Sequence, residues 1–197
     1  VSPRLCASAA SIQAEFPVAA KGGAVALDNS STQGFWFVSL DGSSARIYTP
    51  QGANLVFSAD VDNTNADSPV WMEGVLANFE YKNVALYTGQ YATTANGVVP
   101  KRVTGIASLN NYGGFMVANS GTALLLTSPT TAEVVRLSDG WAWSLTSEAE
   151  DVWSEAVWVD NQSVWLGVAS AKSGGDLSDG IVRFDRTKLG PPTIPPS

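Results

Sequence analysis

The sequence predicts an all-β fold, and three observations support that prediction. From Gly22 onward, short runs of aromatic and β-branched residues alternate with turn residues such as Gly, Pro, Asn and Asp. The chain of 197 residues is 45% hydrophobic and only 15% charged, so it can form a substantial apolar core. Segments with a helical pattern are few. About ten short strands with so little helix are typical of an antiparallel sandwich or barrel.

The predicted strands follow one another at short intervals. Residues 34–41 are rich in aromatic and β-branched side chains and end at Asp41-Gly42, which is a hairpin signal. Pro50-Gln51-Gly52 predicts a turn between strands at 45–48 and 54–57. The later predicted strands are residues 84–91, 102–109, 114–118, 123–127, 133–137, 141–145, 157–159, 164–169 and 180–185.

One stretch predicts a helix instead. Residues 69–81 carry apolar and small side chains at helical spacing, with Asp67 or Ser68 as a cap and Pro69 at the first helical position. The residues at helical spacing are Val70, Trp71, Gly74, Val75, Asn78 and Phe79. A second short helix is predicted near residues 147–153.

A short internal repeat gives an alternative architecture. The residues Val-Trp-Met-Glu at 70–73 resemble Val-Trp-Ser-Glu at 152–155. A periodic all-β chain of this length could form a four-bladed β-propeller with about 50 residues in each blade. The repeat therefore leaves a propeller open beside the sandwich.

Composition excludes several classes of function. The net charge of -7 argues against nucleic-acid binding by this segment alone, because such binding depends on Lys and Arg. The single cysteine, Cys6, cannot form an internal disulfide, and the absence of histidine excludes Ser-His-Asp catalysis and His-ligated metals. No apolar run approaches the roughly 20 residues of a membrane helix, so no membrane partner is expected.

Several motifs together resemble those of a known family. They comprise Trp71, Gly74-Val75, Phe79-Glu80 and Tyr91 at the end of the strand from Val84, followed by a Gly-rich loop at 173–176 between two late strands and a Pro-rich exit at 190–197. In this pattern the chain resembles the shell domain of small icosahedral positive-strand RNA virus coat proteins, of the tombusvirus-like and nodavirus-like kind.

The resemblance implies an eight-stranded antiparallel jelly-roll sandwich with one or two short helices. Residues 1–21 would be an N-terminal arm or lead-in, residues 22–189 the shell domain, and residues 190–197 a hinge or tail. The implied function is a non-enzymatic capsid protein whose copies self-assemble into a large homo-oligomeric shell around RNA. Its location would be the virion, assembled in the host cytoplasm. Genomic RNA would bind only through a basic segment that these residues do not contain.

An acidic segment before residue 69 is a candidate metal site. Asp60, Asp62 and Asp67, with two neighbouring amides, supply hard oxygen ligands of the kind that calcium prefers. Shells of the resembled family often hold calcium between subunits, so this is the one cofactor expected. The alternative is a solvated turn in which Asp67 caps the following helix.

Two further functions remain open on the sequence. Glu73 and Glu155 could form the carboxylate pair of a glycosidase, with Trp71 and Trp153 stacking on sugars. Otherwise both tryptophans are core residues and both glutamates are exposed. Trp141 and Trp143 share one strand face by the two-residue period, which suits either core packing or the platform of a carbohydrate-binding, lectin-like module.

Overall fold

The computed structural model is built of antiparallel β-sheets, as predicted. Its described part contains sixteen strands and, as its helical element, one 3-10 turn at Arg186–Lys188. No helix in that part is long and apolar enough to cross a membrane. The structure describes residues 14–28, 34–41, 43–62, 68–90, 97–106, 109–110, 115–128, 131–146, 151–158, 163–171 and 177–197.

The strands form four sheets, each made from consecutive strands of the chain. Sheet 1 contains β1 (Ala14–Ala20), β2 (Gly23–Asp28), β3 (Phe35–Ser39) and β4 (Ser44–Tyr48). Sheet 2 contains β5 (Leu55–Val61), β6 (Pro69–Ala77), β7 (Glu80–Thr88), β8 (Lys101–Gly105) and the short β9 (Leu109–Asn110), which pairs with β7.

The remaining two sheets repeat this pattern. Sheet 3 contains β10 (Phe115–Asn119), β11 (Thr122–Ser128), β12 (Thr131–Arg136) and β13 (Ala142–Thr146). Sheet 4 contains β14 (Asp151–Trp158), β15 (Ser163–Ala171) and β16 (Leu177–Asp185). Contacts join β2 to β5, β5 to β10 and β10 to β14, so each sheet meets the next one along the chain.

These pairings do not confirm an eight-stranded jelly roll. A jelly roll is built from Greek keys, in which strands far apart in the chain are neighbours. Here the described ladders join consecutive strands, apart from the pair of β7 with β9. The all-β, antiparallel part of the prediction is thus confirmed, whereas its jelly-roll topology is not.

The helix predicted over residues 69–81 is wrong. This stretch forms β6, a tight turn at Asn78 and Phe79, and the start of β7. Residues 70 to 74 are buried on both faces of the strand, so the alternation of apolar and polar residues that marks a half-buried strand is absent. Of the second predicted helix, residues 147–150 lie outside the described part and residues 151–153 begin β14. The residues of this stretch that carry the family resemblance, Trp71, Gly74-Val75 and Phe79-Glu80, therefore lie in two strands and a turn.

Two apolar clusters lie on opposite faces of β6. Val70 and Met72 belong to a cluster shared with sheet 3, which includes Leu125 and Val135. Trp71 belongs to a cluster shared with sheet 1. A third cluster covers the other face of sheet 3, around Leu124, Leu126 and Val134. The first two clusters thus form apolar layers between sheets 2 and 3 and between sheets 1 and 2.

Both ends of the described chain take part in this structure. Within the predicted N-terminal arm, residues 14–20 form β1, which pairs with β2. Within the predicted Pro-rich tail, Ile194 makes backbone hydrogen bonds with Ala142 and packs against the cluster between sheets 2 and 3. Arg102 Nη1 donates a hydrogen bond to the Ser197 carbonyl at 2.6 Å. The segment 190–197 therefore lies against β13 and β8.

The hairpin between β6 and β7 generates a prediction about stability. Asn78 and Phe79 both have positive φ, 53° and 62°, as a type I′ turn requires. A side chain with a Cβ is disfavoured at positive φ, and the Phe79 side chain is 81% exposed, so its ring contributes little to the core. We expect Phe79→Gly to raise the free energy of unfolding by about 0.5–1 kcal/mol, since Asn-Gly suits this turn and little burial is lost. Urea unfolding measures the change.

Phe79→Ala is the matched control for this experiment. It removes the same ring but keeps a Cβ at positive φ, so it should give no comparable gain. An equal gain from both variants would show that the ring, and not the backbone conformation, is the source of the strain.

Candidate functional site

The candidate site is centred on Glu73, a carboxylate buried in the middle of β6. Glu73 is only 4% exposed, so the expectation that it is an exposed residue is wrong. Trp71, two residues earlier and on the same strand face, is fully buried, which confirms its predicted place in the core. The ladder between β6 and β7 shifts register between Glu73 and Val75, and such bulges re-aim side chains.

Three neutral side chains donate hydrogen bonds to this carboxylate. The Tyr48 hydroxyl donates to Glu73 Oε2 at 2.6 Å, and Trp71 Nε1 donates to the same oxygen at 3.3 Å. Asn54 Nδ2 donates to Oε1 at 2.8 Å. The donors come from β4, β6 and the loop before β5, so the carboxylate links sheet 1 to sheet 2.

Aromatic rings pack around the buried side of the site. Trp71 contacts Phe35, Tyr48 and Tyr87, with ring centroids separated by 5.2, 4.8 and 5.6 Å. Phe35 also stacks on Tyr48 at 5.0 Å. Such pairs fix ring positions as well as bury apolar area. The phenol that contacts Glu73 is therefore held in place by the core behind it.

A cavity of about 460 Å³ opens beside Glu73. Its volume lies in the range of roughly 300–1,000 Å³ typical of small-molecule sites. Its wall combines polar, aromatic and apolar side chains: Thr49, Gln51, Asn54 and Glu73; Tyr48 and Tyr87; and Ile47, Val98 and Pro100.

The segment before β8 closes one side of this cavity. Val98 N donates a hydrogen bond to the Ile47 carbonyl at 2.7 Å, which attaches the segment to β4. Gly97 precedes it with a φ of 74°, and a Cβ at Gly97 would clash with the Ile47 carbonyl oxygen. Glycine at position 97 therefore permits the close approach that shapes the wall.

The electrostatics of the site follow from burial and from the Glu73 carboxylate. Burial, together with the hydrogen bond to Glu73 and its charge, raises the pKa of Tyr48 well above its usual value. Burial also raises the pKa of Tyr87, with a smaller contribution from Glu73 and partial compensation by Arg102. Both tyrosines are thus neutral hydroxyl donors at physiological pH, and they cannot act as bases there.

Two members of the predicted calcium site lie elsewhere, between sheets 2 and 3. Asp60 accepts hydrogen bonds from Val61 N and from Ala118 N in β10, both at 2.7 Å. Asp62 Oδ2 accepts one from Gly121 N at 3.0 Å, in the turn between β10 and β11. The two carboxylates thus connect β5 and its end to the neighbouring sheet by hydrogen bonds that need no cation.

The calcium prediction itself stays a prediction. Asp67, its third residue, lies outside the described part of the chain. Among the residues that are described, no group of three or more Asp, Glu, His or Cys is arranged to hold a metal ion.

Of the other predicted site residues, Trp141 and Trp143 are described and do not line the cavity. Glu155 lies in β14, where the structure describes the backbone alone, so the proposed glutamate pair stays untested. Trp143 Nε1 donates a hydrogen bond to the Gly190 carbonyl at 2.7 Å, and its ring packs against the third cluster, around Leu124, Leu126 and Val134. Trp141 is 37% exposed. Among the described residues, the aromatic side chains that line the cavity are Tyr48 and Tyr87.

Sequence reasoning missed Tyr48, Asn54 and Tyr87. They stand on different strands or loops, and no spacing along the chain marks them as partners of Glu73. One available signal was a glutamate two residues from a tryptophan in an otherwise apolar run, since a buried carboxylate requires donors nearby.

Comparison with known proteins gives a similar fold among solved structures but no match to a protein family. Protein-family models and curated proteins give no match to the sequence. Among solved structures, the chain is similar to prolyl oligopeptidase B from Galerina marginata, bound to a 35mer hydrolysis and macrocyclization substrate, with a TM-score of 0.60 and 8% identity. The match covers 90% of this chain but 27% of that enzyme, so this chain spans about a quarter of its length. At this identity, the similarity concerns the fold alone.

A second similar structure is a protein of unknown function from Bacteroides caccae. It has a TM-score of 0.46 and 10% identity, over 91% of this chain and 63% of the other.

Asp60 gives a prediction about pH. Burial raises its pKa from 3.8 to about 6, despite the two N–H donors, so the native state holds the proton more tightly than the unfolded state. The stabilising contribution is therefore complete below about pH 3.8 and is lost as the pH rises through about 6. The full shift corresponds to about 3 kcal/mol.

We expect the wild-type protein to gain about 2 kcal/mol of this contribution between pH 7.5 and pH 4.5, and Asp60→Asn to lack that gain. Urea unfolding of both proteins across this range measures it. Subtracting the two profiles removes groups common to both, including Glu133, whose pKa burial also raises. Parallel profiles would contradict the assignment to Asp60.

Proposed function

We propose that this chain is a carbohydrate-binding module of β-propeller type, whose ligand site is the cavity beside Glu73. The observation that carries the proposal is a buried carboxylate, held by Tyr48, Asn54 and Trp71, at the wall of a cavity of about 460 Å³. Fixed polar groups beside aromatic rings suit a ligand with many hydroxyl groups and apolar ring faces.

The order of the sheets supports a propeller arrangement. Propellers are built from four-stranded antiparallel sheets that follow one another along the chain as blades around a central channel. Sheets 1 to 3 each contain such a four-stranded path, and the first strands of sheets 2, 3 and 4 contact one another in succession, β5 to β10 and β10 to β14. In this arrangement the cavity lies between two neighbouring blades, since its lining includes Tyr48 of sheet 1 and Glu73 and Tyr87 of sheet 2.

The cavity supplies the groups that sugar recognition uses. Tyr48 and Tyr87 each have one ring face covered, by Phe35 and Trp71 respectively, and both line the cavity. Thr49 and Gln51 add a hydroxyl and an amide to the wall. In this proposal the rings contact the apolar face of a sugar, and Glu73 accepts a hydrogen bond from the ligand.

A glycan array followed by titration calorimetry tests this function. We expect the wild-type protein to bind a subset of glycans and Glu73→Gln to weaken that binding by about tenfold or more, as expected for loss of a hydrogen bond to a charged group. Glu80→Gln is the matched control, because Glu80 is an exposed glutamate on the same sheet, close to Lys82. Absence of glycan binding would contradict the function, and equal binding by all three proteins would place the site elsewhere.

The self-assembling RNA-virus shell, with its jelly roll and bridging calcium, stays a competing prediction from the sequence. Light scattering and negative-stain electron microscopy distinguish it from a binding module. We expect a monomer of 20.6 kDa or a small oligomer. Uniform closed particles tens of nanometres across would instead favour the shell. Dissociation of those particles by EDTA would then support the calcium site predicted at Asp60, Asp62 and Asp67.

A further inference from the structure

The charge of Glu73 is hydrogen-bonded but not neutralised within the described structure. All three donors, from Tyr48, Asn54 and Trp71, are uncharged. A buried carboxylate that lacks a cationic partner is costly, and an opposite charge close by reduces that cost. The site is therefore electrostatically suited to a positive group.

Two cations of the neighbouring strands, Arg102 and Lys82, contact groups other than Glu73. Arg102, which pairs with Tyr87 in the ladder between β7 and β8, donates to the Ser197 carbonyl at 2.6 Å. Lys82 lies on β7, next to β6, and its Nζ forms an ion pair with Glu80 Oε2 at 3.8 Å. Among the described Lys and Arg residues, none forms an ion pair with Glu73.

The cavity offers a place where such a cation would contact both the carboxylate and the aromatic rings. An ionised carboxylate has about four acceptor positions, and the hydrogen bonds found here occupy three of them. Glu73, Tyr48 and Tyr87 all border the same cavity. A small cation there donates a charge-assisted hydrogen bond to Glu73 and makes a cation–π contact with the tyrosines.

From this geometry we infer that the cavity selects a ligand with a protonated amine, so that its sugars are amino sugars with a free amino group. The inference rests on the proposed carbohydrate function and specifies its ligand class. The ammonium group lies against Glu73, and the remaining sugar hydroxyls meet the polar wall formed by Thr49 and Gln51. An N-acetylated sugar lacks the positive charge and leaves Glu73 without its counter-ion.

Calorimetry with three probes tests the inference on the wild-type protein in slightly acidic buffer. The probes are a glucosamine tetramer, the matched N-acetylglucosamine tetramer, and putrescine, a diamine without sugar groups. We expect the glucosamine tetramer to bind at least about tenfold more tightly than the other two. Glu73→Gln should remove this preference, and Glu80→Gln should keep it.

The outcomes separate this inference from the proposed function. Equal binding of the two tetramers would overturn the amine inference and leave carbohydrate binding in place. Putrescine binding as tightly as the glucosamine tetramer would support the amine and contradict the carbohydrate function. Failure of all three probes to bind would overturn the amine inference. The comparison of probes uses the wild-type protein, so it remains decisive if Glu73→Gln does not fold.

Discussion

The structure around the candidate site depends on the burial of β6 on both of its faces. Val70 and Met72 pack toward sheet 3, while Trp71 packs toward sheet 1, so one strand belongs to two layers of the core. Burial of this kind removes the exposed face that most antiparallel strands keep. It also places Glu73, which follows Trp71 on the same face, where its carboxylate is largely removed from bulk water and needs hydrogen-bond donors from the protein. The donors from sheet 1 follow from that requirement.

Polar contacts supplement apolar packing at both boundaries of sheet 2. Glu73 connects it to Tyr48 of sheet 1, and Asp60 connects it to the backbone of Ala118 in sheet 3. The two carboxylates differ in their partners. Asp60 accepts hydrogen bonds from backbone N–H groups. Glu73 accepts them from side chains, and two of these donors, Tyr48 and Asn54, also line the cavity. A hydrogen bond between the Asp60 side chain and the Ala118 backbone holds sheets 2 and 3 in a fixed relative position. Side-chain donors beside open space can instead exchange with a ligand, which is why the site is assigned to Glu73.

The sequence allowed the fold class to be predicted, but only part of the topology and site. Runs of aromatic and β-branched residues such as 34–41 marked strands correctly, because these side chains favour the extended backbone of a sheet. At 69–81 the two-sided burial of β6 and a tight turn at Asn78 and Phe79 produced spacing that also fits a helix. The arrangement of the sheets was out of reach, because packing between sheets depends on contacts between segments that no local pattern specifies. The site was out of reach for the same reason, since Tyr48 and Asn54 approach Glu73 only after sheets 1 and 2 pack.

The stability of the fold does not by itself account for Glu73. Replacing a buried charged group by an apolar side chain of similar volume is often neutral or stabilising, because desolvation of the charge is avoided. Trp71, Met72 and Val70 show that the strand already packs apolar side chains on both faces. A glutamate at position 73 therefore carries a cost that an apolar residue would not. A cationic ligand in the cavity beside it offsets this cost, because its positive charge pairs with the Glu73 carboxylate when it binds.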